Sequence, residues 1–221
     1  MEQIKKSLIY PLRNIADIFI TATCIISNHV VYKNEKAVFE TNDVFVQDFL
    51  LSAYRYFEIK YPKFYKMDNL SKLGWLAAEI LLKDSFNTGK YKAEEVGVVL
   101  ANASSSLDTD IKYYETAKDI ASPALFVYTL PNIVIGEICI RHGFKGENAF
   151  FIFNKFDAGF MEEYVSNLAN ENIFECCICG WVELFDNEYK TVLFLIEKEK
   201  SGQGNLFTKE NLNKIYQLDN G

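Results

Sequence analysis

Several absences narrow the reading of this 221-residue chain before any motif is sought. It has no run of ~20 apolar residues, the length a membrane-crossing helix needs. The longest apolar stretch, Ile15 to Ile26, is broken by Asp17 and several threonines. Met1–Asn14 carries two lysines but no apolar core and no cleavage pattern, so a secretory leader is not expected and a cytoplasmic address follows. Positive charge is not in excess: 23 Lys and Arg face 30 Asp and Glu, a net charge of −7. An acidic surface repels phosphate backbones, which excludes nucleic acid as an expected partner. No Pro/Gly/Ser-rich linker or internal repeat divides the chain, so residues 1–221 read as one domain. Histidine is scarce, with His29 and His142 alone, and GxSxG, Walker, HExxH and dinucleotide motifs are all missing.

What is present is ordinary globular material: 49% hydrophobic and 24% charged residues. The 18 Phe and 13 Tyr belong in a core or an interface. Five cysteines include the cluster Cys176, Cys177 and Cys179. That cluster lies in the apolar segment Ile173–Leu184, with no histidine or second cysteine pair nearby. A structural zinc site wants four ligands, so these read as buried strand thiols and no metal is expected.

The periodicities alternate. Ile18–Ser27 is rich in β-branched residues and reads as a strand. Asp43–Tyr61 carries apolar residues at helical spacing and stops at Pro62. Asn69–Lys83 is the clearest helix, with Asn69 or Asp68 as its cap. Val96–Ala101 is a continuous apolar run, as in strands buried on both faces. A short helix over Asp108–Lys118 and a helix over Pro131–His142, stopped by Gly143, follow. Ala149–Phe153 reads as a strand and Asp157–Asn170 as an amphipathic helix. Ile173–Leu184 and Thr191–Lys198 form a hairpin, and Phe207–Leu218 a last short helix. The order β, α, β, α, β, α, β, β predicts a three-layer α/β domain around a five-stranded mixed sheet.

Between Ser122 and Gly180 the sequence resembles the N-terminal half of the β-ketoacyl-acyl-carrier-protein synthases, of thiolase-like fold. Ser122–Pro123, Asn132, Gly136, Ile140, Gly143, Gly146 and Gly180 fall on that family's pattern. IFITATCIIS resembles its opening strand, NLSKLGWLAAEILLKD its first core helix, and VGVVLANASSSLDT its second strand and loop. The departures carry the functional content. Counting from Gly146 puts Lys155 where the family has its nucleophilic cysteine. Condensation needs a thiolate that accepts the acyl chain as a thioester, and an acylated lysine is a stable amide. The family's catalytic histidines lie in its second half, and neither His29 nor His142 falls in a matching motif.

The resemblance therefore implies an inactive, half-length subunit, like the chain-length factors that pair with an active synthase and shape its acyl tunnel. No cofactor is implied. The expected partner is an active β-ketoacyl synthase or a second copy. An acyl carrier protein would be reached through the partner, since docking it directly would need a local basic patch. By resemblance, Leu107, Phe126 and Tyr128 are candidate tunnel residues. Ala149, Phe150, Phe151, Ile152 and Phe153 form the strand that pairs across the dimer. Two other classes stay open: an acyl-transfer or decarboxylating enzyme using polar groups near Asn132 and Lys155, and a stand-alone acyl-binding or scaffold protein. In a complete thiolase fold the helix matching Asp157–Asn170 lies between two sheets. Here Glu162 and Glu163 argue for a water-facing side, with Met161, Tyr164, Val165 and Leu168 turned inward, in a chain that ends after one half.

Overall fold

The computed structural model describes residues 17–199 and 204–218. The stretch read above as lacking a leader lies outside these residues. A mixed sheet is clamped between two helical layers. In chain order the elements are β1 (Phe19–Ser27), β2 (Val30–Lys33), β3 (Lys36–Glu40), α1 (Val46–Tyr56), α2 (Asn69–Leu82), β4 (Val96–Asn102), α3 (Leu107–Ala117) and α4 (Pro123–Phe126). There follow α5 (Ile133–His142), β5 (Asn148–Ile152), α6 (Ala158–Asn170), β6 (Cys176–Phe185), β7 (Glu188–Glu197), β8 (Asn205–Leu206) and α7 (Lys209–Tyr216). The strand order is β3-β2-β1-β7-β6-β4-β5, with β8 pairing β1. β4 runs parallel to both β5 and β6, and the remaining pairs are antiparallel.

Among the described residues the sheet has eight strands rather than five. The largest omission is the β2–β3 hairpin, which closes through Asn34 and Glu35, both at positive φ (48° and 66°), with Lys33 opposite Lys36. Two-residue hairpin turns favour Asn-Gly or Asp-Gly. A glutamate in the left-handed region gives no such signal, so the hairpin is nearly silent in the sequence.

Alternation along the strands divides the core in two. Cys24, Ile26, Val98, Leu100, Ile178 and Leu193 face α1, α2 and α5. Ile25, Val99, Ala101, Cys179, Phe194 and Ile196 face α6 and α7. The three clustered cysteines diverge with the pleat: Cys176 joins the first layer, Cys177 and Cys179 the second. α2 is buried almost all round because it lies on the sheet with α1 and α5 beside it. Asp68 caps it, accepting from Ser71 N–H at 2.9 Å. Gly74 permits the close approach: a Cβ there would sit 2.5 Å from Val134 Cγ1. Gly180, at φ +149°, is equally constrained, since a Cβ would lie 2.0 Å from the Val192 carbonyl oxygen.

On the other face Asp157 caps α6, accepting from Phe160 N–H at 2.9 Å. Met161 and Val165 are buried, while Tyr164 and Leu168 are half-buried. Glu163 is exposed, as expected, but Glu162 is half-buried and accepts from Lys209 N–H at 3.1 Å. The reason is α7, which lies beside α6 and buries Leu212 and Ile215. Its Tyr216 stacks on Phe156 at 4.5 Å.

Candidate partner interface

The loop after β4 is fixed from two sides. Asn102 holds Ser105 twice, its Oδ1 accepting from Ser105 N–H (3.0 Å) and its Nδ2 donating to Ser105 O (2.8 Å). Glu183 of β6 accepts from the N–H groups of Ala103 and Ser104. This delivers α3 with its polar side inward. Asp108 is buried, accepts from Asp186 N–H at 3.2 Å and ion-pairs with Lys112 at 2.6 Å. Thr109 is also buried and donates to Asp68 Oδ2 at 2.6 Å. Burial pushes the Asp68 carboxyl up, against the opposing pull of the hydrogen bonds from Ser71 and Thr109. The apolar residues Leu107, Ile111 and Tyr114 lie at i, i+4 and i+7, on one helix face, and all three are exposed. α3 is therefore inside out, burying Asp and Thr and presenting Leu, Ile and Tyr to water.

The apolar surface continues past α3. Ile120 is 81% and Phe126 60% exposed, and Val127 and Leu130 are exposed as well. Phe126 touches α3 through Tyr113, with ring centroids 5.5 Å apart. Of the three candidate tunnel residues, Leu107 and Phe126 thus lie at the surface of this region. Tyr128 is 7% exposed, and its hydroxyl donates to Glu137 Oε1 at 3.1 Å. Burial and the neighbouring Glu137 carboxylate push that hydroxyl's pKa well up.

β5 ends the sheet, bonded to β4 alone among the described strands. Phe150 packs towards the α2 layer, and Phe151 towards α6. Phe151, Phe153, Phe160 and Tyr164 form a half-buried ring cluster, with Phe151 4.8 Å from Phe160 and 4.9 Å from Tyr164. Ile152 is 48% exposed. Because Ile152 pairs with Asn102, the end of this edge strand lies beside the loop that leads into α3. Large exposed apolar areas rimmed by polar groups mark interaction surfaces.

The chemistry-bearing residues do not converge. Lys155 is exposed in the bend between β5 and α6, and Asn132 is exposed at the start of α5, capping nothing with its side chain. Cys24, Cys176, Cys177 and Cys179 are buried within the sheet, and Cys139 is half-buried on α5. Burial raises all five thiols, Cys24 to about 12, so none stands as a thiolate at neutral pH. His29 meets the rings of Phe49 and Tyr189 edge-on. His142 ends α5 with Nε2 2.7 Å from Glu79 Oε1.

Sequence reasoning missed Ile111, Tyr114, Ile120 and Leu130. The signal was available, since the apolar positions of Asp108–Lys118 repeat at helical spacing, but spacing does not say which face looks inward.

No family model matches the chain, and no curated protein matches it. Solved structures do share its fold. The ishigamide ketosynthase/chain length factor matches with a TM-score of 0.61 at 15% identity, over 86% of this chain and 64% of that one. One chain of the complex of the ketosynthase ApeO with its chain length factor ApeC, from Xenorhabdus doucetiae, matches at a TM-score of 0.54 and 11% identity, over 91% and 90%. The AntDE:AntF assembly, a type II PKS acyl-carrier protein with its hexaketide-bound ketosynthase, gives 0.55 at 14%, over 82% and 63%. The chain thus spans less than two thirds of the first and third of these.

Proposed function

We propose that this chain is a catalytically inactive ketosynthase-like subunit. It pairs with an active β-ketoacyl synthase and shapes its acyl tunnel in fatty-acid-like or polyene-like synthesis. The observation that carries this reading is the inside-out helix α3. A helix that buries Asp108 and Thr109 while exposing Leu107, Ile111 and Tyr114 is stable in water only at a penalty, which a covering chain removes. Continuity with the open edge of β5 favours a partner that adds a strand there and lays an apolar face over α3 and α4. The aromatic cluster behind β5 supplies anchors of the kind that dominate interface energies. Among the fold neighbours are a ketosynthase with its chain length factor and a ketosynthase with its carrier protein, which is the source of the partner identities proposed here.

Inactivity rests on Lys155 in the nucleophile bend and on the burial of the thiols. An acyl carrier protein also finds a complementary surface. Arg55, Lys60, Lys63, Lys66 and Lys72 lie close together in the sequence, from the last turn of α1 to the first turn of α2, on a chain of net charge −7. Of the acids in that stretch, Glu58 is exposed, while Asp68 is turned inward as the α2 cap. This is the local basic patch that an acidic partner needs.

The test is co-expression with a cysteine-bearing ketosynthase of the same genome. The pair is expected to co-purify, and the chain alone to show no condensation with acyl- and malonyl-carrier substrates. Phe126→Ala in the reconstituted pair should lengthen the product. A chain that condenses substrates by itself and loses this on replacement of Lys155 or Asn132 is an enzyme, and the proposal fails.

A further inference from the structure

Glu137 on α5 is 4% exposed and is placed between two surfaces. Its Oε1 accepts from Tyr128, whose neighbours Phe126 and Val127 are part of the exposed apolar region. Its Oε2 is 2.7 Å from the ammonium of Lys63. Lys63 belongs to the 3-10 turn Pro62–Lys66 and its side chain is 40% exposed, so it stands at once in the interior pair and in the cationic surface. Lys60 and Lys66 flank it in the chain, both exposed. Oε2 accepts no hydrogen bond among the described residues, and the ion pair with Lys63 is its close contact there. Besides the Tyr128 ring in the core and the contact of Phe126 with Tyr113, the segment that Tyr128 anchors is held by single-turn bonds, Tyr128 N–H to Leu125 O (2.9 Å) and Thr129 N–H to Phe126 O (3.2 Å).

We infer that Lys63, Glu137 and Tyr128 couple the cationic turn to the apolar face, so that an acidic partner engaging Lys63 loosens residues 126–130. The inference rests on the pairing reading above and assigns its regulation. The physical cause is competition. Lys63 is the member of the chain that reaches the surface, and an incoming carboxylate draws it from Glu137. A buried carboxylate without its cation is strongly disfavoured. It is relieved when the Tyr128 segment opens and lets water reach it. By reciprocity, a chain covering 126–130 holds Lys63 on Glu137 and weakens the cationic turn for acidic partners. Glu137 is thus a positioning residue for the interface, with Lys63 as the point at which its hold can be released.

Hydrogen exchange on the full chain tests this, with poly-glutamate as the acidic probe. In the unmodified protein, saturating probe should speed exchange of the 128 and 129 amides at least fivefold while leaving those of β4 unchanged. In Lys63→Met the same amides should exchange fast without probe and ignore its addition. Glu137→Gln should behave like Lys63→Met. Lys66→Ala should weaken probe binding yet leave basal exchange as it was. A purely structural pair would alter basal exchange but give no response to probe, and that result overturns the coupling, as does a probe that fails to bind. If Glu137→Gln does not fold, Lys63→Met at its half-exposed position decides. Pairing is read separately, by co-purification. A chain that pairs but whose amides ignore the probe keeps the pairing reading and loses this one, and the reverse outcome separates them equally.

Discussion

Helix α3 meets the cap of α2 at the hydrogen bond from Thr109 to Asp68, and the two helices obey opposite rules. α2 buries Leu70, Leu73, Leu76, Ala77, Ile80 and Leu81 in the core and lies on the sheet. α3 buries an aspartate and a threonine and turns its apolar residues to water. The difference teaches that amphipathicity fixes a helix's faces without fixing their direction. α2's apolar stripe is satisfied within the chain, whereas that of α3 is left exposed. The inward polar face of α3 is tolerated because its two buried residues have fixed partners: Asp108 in Asp186 N–H and Lys112, Thr109 in Asp68, whereas Asp110 Oδ1 has none among the described residues.

The contrast can be broken in graded steps. Leu76→Ala, in the fully buried stripe of α2, should cost about 2–5 kcal/mol in urea unfolding, since it leaves a cavity the sheet cannot fill. A cost below about 1 kcal/mol would mean that α2 does not carry the core. Thr109→Val removes the hydroxyl from half-buried Asp68 and should cost about 1–3 kcal/mol at neutral pH. Asp68 already has its pKa raised above 3.8, so it favours the fold below that value and loses the contribution as pH rises through its folded pKa. The valine raises it further, and the deficit should shrink in acid. A deficit that instead grows in acid would place the lost interaction elsewhere.

Glu79 behaves in the opposite sense. Burial pushes its carboxyl up, but hydrogen bonds and charge from His142 and Arg141 outweigh this and hold it below the ordinary 4.5. Its contribution is present above 4.5 and is lost as pH falls through the lower, folded value. Glu79→Gln should therefore lower the melting temperature at neutral pH and converge with the parent in acid. Parallel curves across that window would remove the ion pairs from the account. Smallest of all, Ile111→Asp should change unfolding by no more than about 0.5 kcal/mol, because the side chain is exposed.

Much of the architecture was legible because it rests on local patterns. The cap at Asp68, the αL stop at Gly143 and the doubly buried β4 follow from residue chemistry and run length. The β2–β3 hairpin was not legible, since its turn uses Glu35 where glycine is the usual signal. The site was legible in part. The apolar character of the strand could be read from AFFIF, while its place at the end of the sheet comes from the topology. The direction of α3, the basic turn before α2 and the Lys63–Glu137–Tyr128 chain depend on contacts between segments far apart in sequence, which periodicity does not encode.

The most direct test of the central claim, that the outer face of α3 is covered by a partner, is the mass of the co-expressed assembly by size-exclusion chromatography with light scattering, comparing the parent with Ile111→Asp. The account predicts a stable complex with a ketosynthase for the parent. For the variant it predicts at least tenfold weaker association, about 1.4 kcal/mol, with an unchanged melting temperature of the isolated chain. A variant that assembles as tightly as the parent, or a parent that stays monomeric beside every ketosynthase of its genome, would contradict it.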